Sequence, residues 1–153
     1  MRHKNSIGVF ISGRLGSERL PRKLVLPIGE TCLWDIACKK LNGLPDKYRK
    51  YVLAEKGDLA DIAKKHANLE VIIRDNDTAI ADSPLTFIFK DIKDVPSKYL
   101  MFLNPCQSFI TSATIISSLE KFEKSIDDIF EGYGKKFNIK TLALISYQAF
   151  TSL

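Results

Sequence analysis

Short apolar runs alternate along this chain with stretches of helical periodicity, and that alternation restricts its fold more than any other feature. Ile7-Gly-Val-Phe-Ile11 is an apolar run of strand length closed by Ser12-Gly13, the pattern of a strand buried on both faces. From about Thr31 to Leu41, Leu33, Ile36, Ala37 and Leu41 recur at helical spacing, and Gly43 supplies a stop. Tyr51 to Ala54 reads as a second strand. Asp58 can cap the helix after it, where Leu59, Ile62 and Ala63 form an apolar stripe. Val71 to Ile73 is a third strand, and Leu85, Ile88, Phe89 and Ile92 make a helix face behind Pro84. Tyr99 to Leu103 is a fourth strand. Thr111 or Ser112 then caps a helix that turns Ile115, Ile116, Leu119 and Phe122 inward. The stretch from Asp127 to Asn138 is less regular, with a loop at Gly132-Tyr-Gly134, and Thr141 to Ile145 reads as a last strand.

Strands alternating with helices of this kind build βαβ units, hence a largely parallel sheet with helices on both faces and right-handed crossovers. Residues 1–153 read as one α/β domain, without repeats, low-complexity tracts or a linker. In such sheets ligands sit beyond the carboxyl ends of the strands, where the strand order switches. The loops after Ile11, Ala54, Ile73, Leu103 and Ile145 are therefore the places to look for function.

Composition narrows the classes further. An apolar fraction of 45% and a charged fraction of 27% are those of an ordinary globular protein. No apolar run approaches the roughly 20 residues that span a bilayer, so no membrane partner is expected. The basic start, Met1 to Asn5, is followed only by the short apolar run from Ile7 to Ile11. That is no signal peptide, and a cytoplasmic location is expected. Cys32, Cys38 and Cys106 lack paired metal spacing and read as small buried hydrophobes. The net charge is +5, yet no basic run or basic-aromatic alternation points to nucleic acid. Arg14, Arg19, Arg22 and Lys23 sit within ten residues, opposed only by Glu18, and account for most of that excess.

The segment Ser12-Gly-Arg-Leu-Gly-Ser-Glu-Arg-Leu-Pro-Arg-Lys23 follows the first strand directly. Gly13 and Gly16 would allow positive φ and close approach of the backbone to a bulky anion. Successive amides can form an anion-binding nest. Ser12 and Ser17 offer hydroxyls, Arg14 and Arg19 forked donors, and Lys23 a point charge. Neither the Walker spacing nor Gly-x-Gly-x-x-Gly is present, so those nucleotide fingerprints are absent. On chemistry alone, the competing reading is a solvated basic loop beside a turn.

The run Arg14-x-Gly-Ser-x-Arg-Leu-Pro-x-Lys23, continued by Leu24-Val-Leu-Pro-Ile-Gly29, resembles the N-terminal signature of the CMP-sugar synthetases, the acylneuraminate and KDO cytidylyltransferases. It is also similar to the spore-coat polysaccharide synthesis proteins of that superfamily. Weaker resemblance extends through Tyr51 to His66, Ile73-Arg74 with Ala81-Asp82-Ser83, and Leu103-Asn-Pro-Cys-Gln-Ser-Phe-Ile-Thr111. Together these cover about Ile7 to Phe122.

The resemblance implies a Rossmann-like three-layer fold of the nucleotide-diphospho-sugar transferase type, shortened at its C-terminus. It also implies transfer of CMP from CTP to an acidic sugar, of sialic acid or KDO type, with release of pyrophosphate, for surface polysaccharide biosynthesis. On this basis Arg14 and Lys23 are the catalytic candidates, as phosphate clamps. Ser12, Gly13, Gly16, Ser17 and Arg19 would line the nucleotide, Arg74 and Ser83 would read the base, and Asn104 would contact nucleotide or sugar. Mg²⁺ is the implied cofactor. Its ligands are not marked by spacing, and Asp75, Asp77 and Asp82 read as solvated surface carboxylates. His3 and His66 have no partner at metal or nucleophile spacing, and His66 reads as a charge partner for a helix C-terminus.

The chain departs from the family in three places. Asn104 replaces a glutamine, Ile110 stands where the sialic acid branch has arginine, and the KDO branch's acidic residue is missing beside Cys106. The family also continues beyond the position of Leu153, with metal-binding aspartates, sugar contacts and a homodimerisation segment. The alternative readings are a catalytically incomplete nucleotide-binding or interaction module of the same fold, and an activator of another sugar with a different base.

Overall fold

The structure is a computed structural model that describes residues 7–16, 19–74 and 85–132. Strand β1 (Ile7–Gly13) pairs in parallel with β2 (Arg49–Ala54) on one side and with β4 (Tyr99–Leu103) on the other. Strand β3 (Glu70–Ile73) pairs in parallel with β2, so the described sheet has the order β3-β2-β1-β4. β1 and β2 are buried along almost their whole length, as their near-continuous apolar sequences require. The strand expected from Thr141 to Ile145 lies outside the described residues.

Alternate side chains of each strand enter two separate cores. Val9, Ile11, Val52, Ala54 and Met101 face α1 (Leu33–Asn42), α2 (Asp58–Ala63) and α4 (Ser112–Gly132), meeting Trp34, Leu41, Leu59, Ile115 and Leu119. Phe10, Tyr51, Leu53 and Leu100 point the other way, toward Ile88 and Ile92 of α3 (Leu85–Ile92). Helices therefore cover both faces of a parallel sheet, as the alternation of elements predicts.

The path of the chain explains which helix lies where. β1 to β2 and β2 to β3 step in one direction across the sheet, whereas β3 to β4 crosses back beyond β1. With right-handed crossovers, a reversal of direction sends the connecting helix to the opposite face. That is the position of α3. The reversal also leaves β1 and β4 adjacent at a switch in strand order, and open α/β sheets bind ligands at such a switch, in the crevice outside the carboxyl ends of the strands.

Several local readings are corrected. Ser12 and Gly13 belong to β1 rather than to the loop after it. Asp58 is the first residue of α2; Gly57 takes the cap position, and no side chain bonds the helix amides there. Helix α4 runs on through Asp127 to Gly132, where the sequence reads as irregular. Its cap is Thr111, whose Oγ1 accepts from the Thr114 amide at 3.2 Å. Cys32 caps α1, its Sγ accepting from the Asp35 amide at 3.4 Å. Cys32 and Cys38 are buried as expected, but Cys106 is exposed. His66 pairs with a carboxylate on a neighbouring helix, Nε2 lying 3.1 Å from Asp35 Oδ1.

Candidate functional site

Parallel register decides what meets at the carboxyl edge. Gly13 lies level with Ala54, Ala54 with Ile73, and Ile11 with Leu103. Arg14, Glu55 and Arg74 are thus the first residues beyond three neighbouring strands, whose backbones run roughly 4.8 Å apart. One step further along the register, Asn104 comes beside Ser12 across the crevice. Ser12, Gly13, Arg14, Arg74 and Asn104 are brought to one edge from segments up to 92 residues apart. Ser17 and Ser83 lie outside the described residues, as do Asp75, Asp77 and Asp82.

The loop after β1 is shaped by bonds within the chain. The Arg22 amide donates to Leu15 O at 3.0 Å and the Lys23 amide to Leu20 O at 3.2 Å, so the chain doubles back before a tight turn at Lys23–Val25. Leu15 donates its own amide to Glu55 Oε2 at 2.7 Å. Positive φ falls on Arg22, at 57°, and on neither Gly13 nor Gly16. Gly13 is needed for space instead. A Cβ there would lie 2.5 Å from Trp34 Cζ3, and Trp34 is fixed by its Nε1–H donating to Leu59 O at 2.9 Å. Gly16 is exposed, and among the described residues no atom lies within 4 Å of the position its Cβ would take.

The cations of the loop differ in their surroundings. Arg22 is ion-paired with Asp58. Arg14 and Lys23 are half-buried and Arg19 is exposed. Arg74 turns away from the edge: its side chain is 5% exposed, and Nε donates to Asp91 Oδ2 of α3 at 3.2 Å, Asp91 being 4% exposed. Its amide extends the strand ladder to Ala54 O at 2.9 Å. Asn104 shapes its own loop, with Oδ1 accepting from the Cys106 amide at 2.9 Å. Lys40 of α1 donates to Ser108 O, tying that loop to the helix, and burial pulls its ammonium pKa down.

Between α1 and this loop lies a cavity of about 30 Å³, lined by Ile11, Lys40, Asn104, Gln107 and Ile115 among others. Such a space holds a water or two. Octahedral Mg²⁺ wants several oxygen ligands, but no group of three or more His, Cys, Asp or Glu side chains converges among the described residues. Glu55, the carboxylate at this edge, is already bonded to Leu15. The described residues do not assemble a site for the ion.

Sequence reasoning missed Glu55, Lys40 and the role of Trp34. Nothing local marks them, since each acts on a segment at least twenty residues away.

No protein-family profile matches the chain, and no curated protein does. Solved structures do match. A cytidylyltransferase from Leptospira borgpetersenii serovar Hardjo-bovis (strain JB197) has a TM-score of 0.61 at 22% identity, over 78% of this chain and 50% of that one. A CMP:2-keto-3-deoxy-manno-octonic acid synthetase complexed with CTP has a TM-score of 0.64 at 13% identity, over 80% of this chain and 49% of that one. The chain spans about half the length of these structures. Identities this low establish likeness of fold: over about half of their length, the chain has the fold of these cytidylyltransferases.

Proposed function

We propose that this chain is the nucleotide-binding part of a CTP-using nucleotidyltransferase acting on an acidic sugar of sialic acid or KDO type, for surface polysaccharide biosynthesis. One observation carries the reading. A loop with a charge excess stands at the carboxyl edge beside the β1/β4 crevice, in a fold shared with a synthetase complexed with CTP.

In this reaction the sugar's anomeric hydroxyl attacks the α-phosphate of CTP and pyrophosphate leaves. In-line positioning and charge neutralisation matter more than a reactive side chain. Arg14 would grip phosphate oxygens as a fork and Lys23 would act as a point charge. Arg19 extends the same field, and Gly16 leaves the loop backbone open to the anion. Ser12 and Asn104, on opposite sides of the crevice, would contact the nucleotide or sugar.

A second reading, nucleotide binding without turnover, is favoured by Glu55, whose carboxylate at this edge is engaged by the Leu15 amide. Titration calorimetry with CTP and a pyrophosphate-release assay with acidic sugars separate the two. The expected result is CTP binding that weakens with added salt and falls about ten- to hundredfold in Lys23→Ala, with unchanged thermal stability. Pyrophosphate release by the chain alone would establish the enzyme. Absence of CTP binding would overturn the CTP reading and leave a protein-interaction module of this fold or an activator that uses a different base.

A further inference from the structure

The loop after β1 is held by the connection after β2. Leu15 uses both backbone polar groups: its carbonyl accepts from Arg22 and its amide donates to Glu55. The second bond is 2.7 Å long, part-buried, and joins residues forty positions apart. A short bond to a carboxylate is among the stronger hydrogen bonds a loop can make. Three residues on, Asp58 holds the Arg22 side chain at the loop's other end. That exposed pair contributes little by itself, but Arg22 is the residue held at positive φ, where the loop turns back.

The placement of Glu55 gives the contact a direction. It follows β2, while the crevice opens between β1 and β4, on the other side of β1. The carboxylate therefore grips the loop from the side away from the crevice, and among the described residues nothing stands within 4 Å of a Cβ built on Gly16. A loop ordered in advance binds more tightly, because less conformational entropy is lost when the ligand arrives.

We propose that Glu55 is a positioning residue for the anion loop, fixing the Leu15 amide so that the backbone around Gly16 is set before a phosphate arrives. This rests on the nucleotide reading above. A carboxylate standing in the phosphate position would have the opposite effect, since its removal would strengthen binding.

The test compares wild type, Glu55→Ala and Glu55→Gln by two measurements. Hydrogen exchange at the Leu15 amide reads the contact itself, without ligand. Calorimetric titration with CTP reads its consequence. Glu55→Ala should expose the Leu15 amide to exchange and weaken CTP binding roughly tenfold. Glu55→Gln keeps a carbonyl acceptor and should restore most of both. Equal or tighter CTP binding by Glu55→Ala overturns the proposal, as does a glutamine variant as weak as the alanine one. If wild type binds no CTP, the nucleotide reading fails and the positioning role falls with it. A Leu15 amide still protected in Glu55→Ala would separately refute the contact.

Discussion

The indole of Trp34 fills the space that a side chain at Gly13 would need. An ideal Cβ on Gly13 would stand 2.5 Å from Cζ3 and 2.8 Å from Cη2 of that ring. Trp34 is fully buried and bonded to Leu59 O, so α1, α2 and the end of β1 are locked together at the entrance to the loop. Gly13→Ala should therefore destabilise the fold by about 1–3 kcal/mol, the range for overpacking a tight core. Urea denaturation measures this directly. An unchanged midpoint would show that the ring can retreat without cost.

Arg74 and Asp91 form a buried ion pair between the end of β3 and α3. Removing one partner of such a pair leaves an uncompensated charge, at a cost of about 3–5 kcal/mol. Asp91→Ala should lower the melting temperature sharply, while CTP affinity, measured well below that temperature, should change little. A loss of CTP affinity without a stability loss would assign Arg74 to the base instead.

The three cysteines should divide cleanly by reactivity. Burial pushes the Cys38 thiol up to about 12, and Cys32 is buried as the cap of α1. Only Cys106 is exposed. An aromatic disulfide reagent at pH 8 should titrate one thiol in the native protein and three in denaturant. Rapid reaction of a second thiol would mean that α1 opens readily.

Asp35 should make the fold sensitive to acid. The hydrogen bond from Lys39 is the largest influence lowering its carboxyl below the ordinary 3.8, with Thr31 and His66 adding to it against the opposing effect of burial. A carboxyl depressed in the folded state adds stability above its unfolded pKa and loses it as pH falls through the folded value. The loss should therefore appear below about pH 4. Melting temperatures for wild type and Asp35→Asn should converge as pH drops through that range. Parallel profiles would show that Asp35 contributes no linkage.

The sequence by itself determined the class of fold and the placement of its elements. Strand β4 falls at Tyr99–Leu103 as read, because a short apolar run between turns has few other places to go. The loop from Arg14 to Lys23 was legible for the same reason: its cations are neighbours in the chain, and the strand before it fixes where it begins. Boundaries were less legible where tertiary contacts outweigh local preference. α4 continues through Asp127 to Gly132, beyond the buried Ile126, a continuation that no local signal reports. Tertiary structure alone decided how the candidate site is held. Glu55 reaches Leu15, Arg74 turns to Asp91, and Lys40 ties down Ser108. These contacts follow from parallel register and from the reversal that sends α3 to the opposite face, and both are properties of packed strands that periodicity along one chain does not encode.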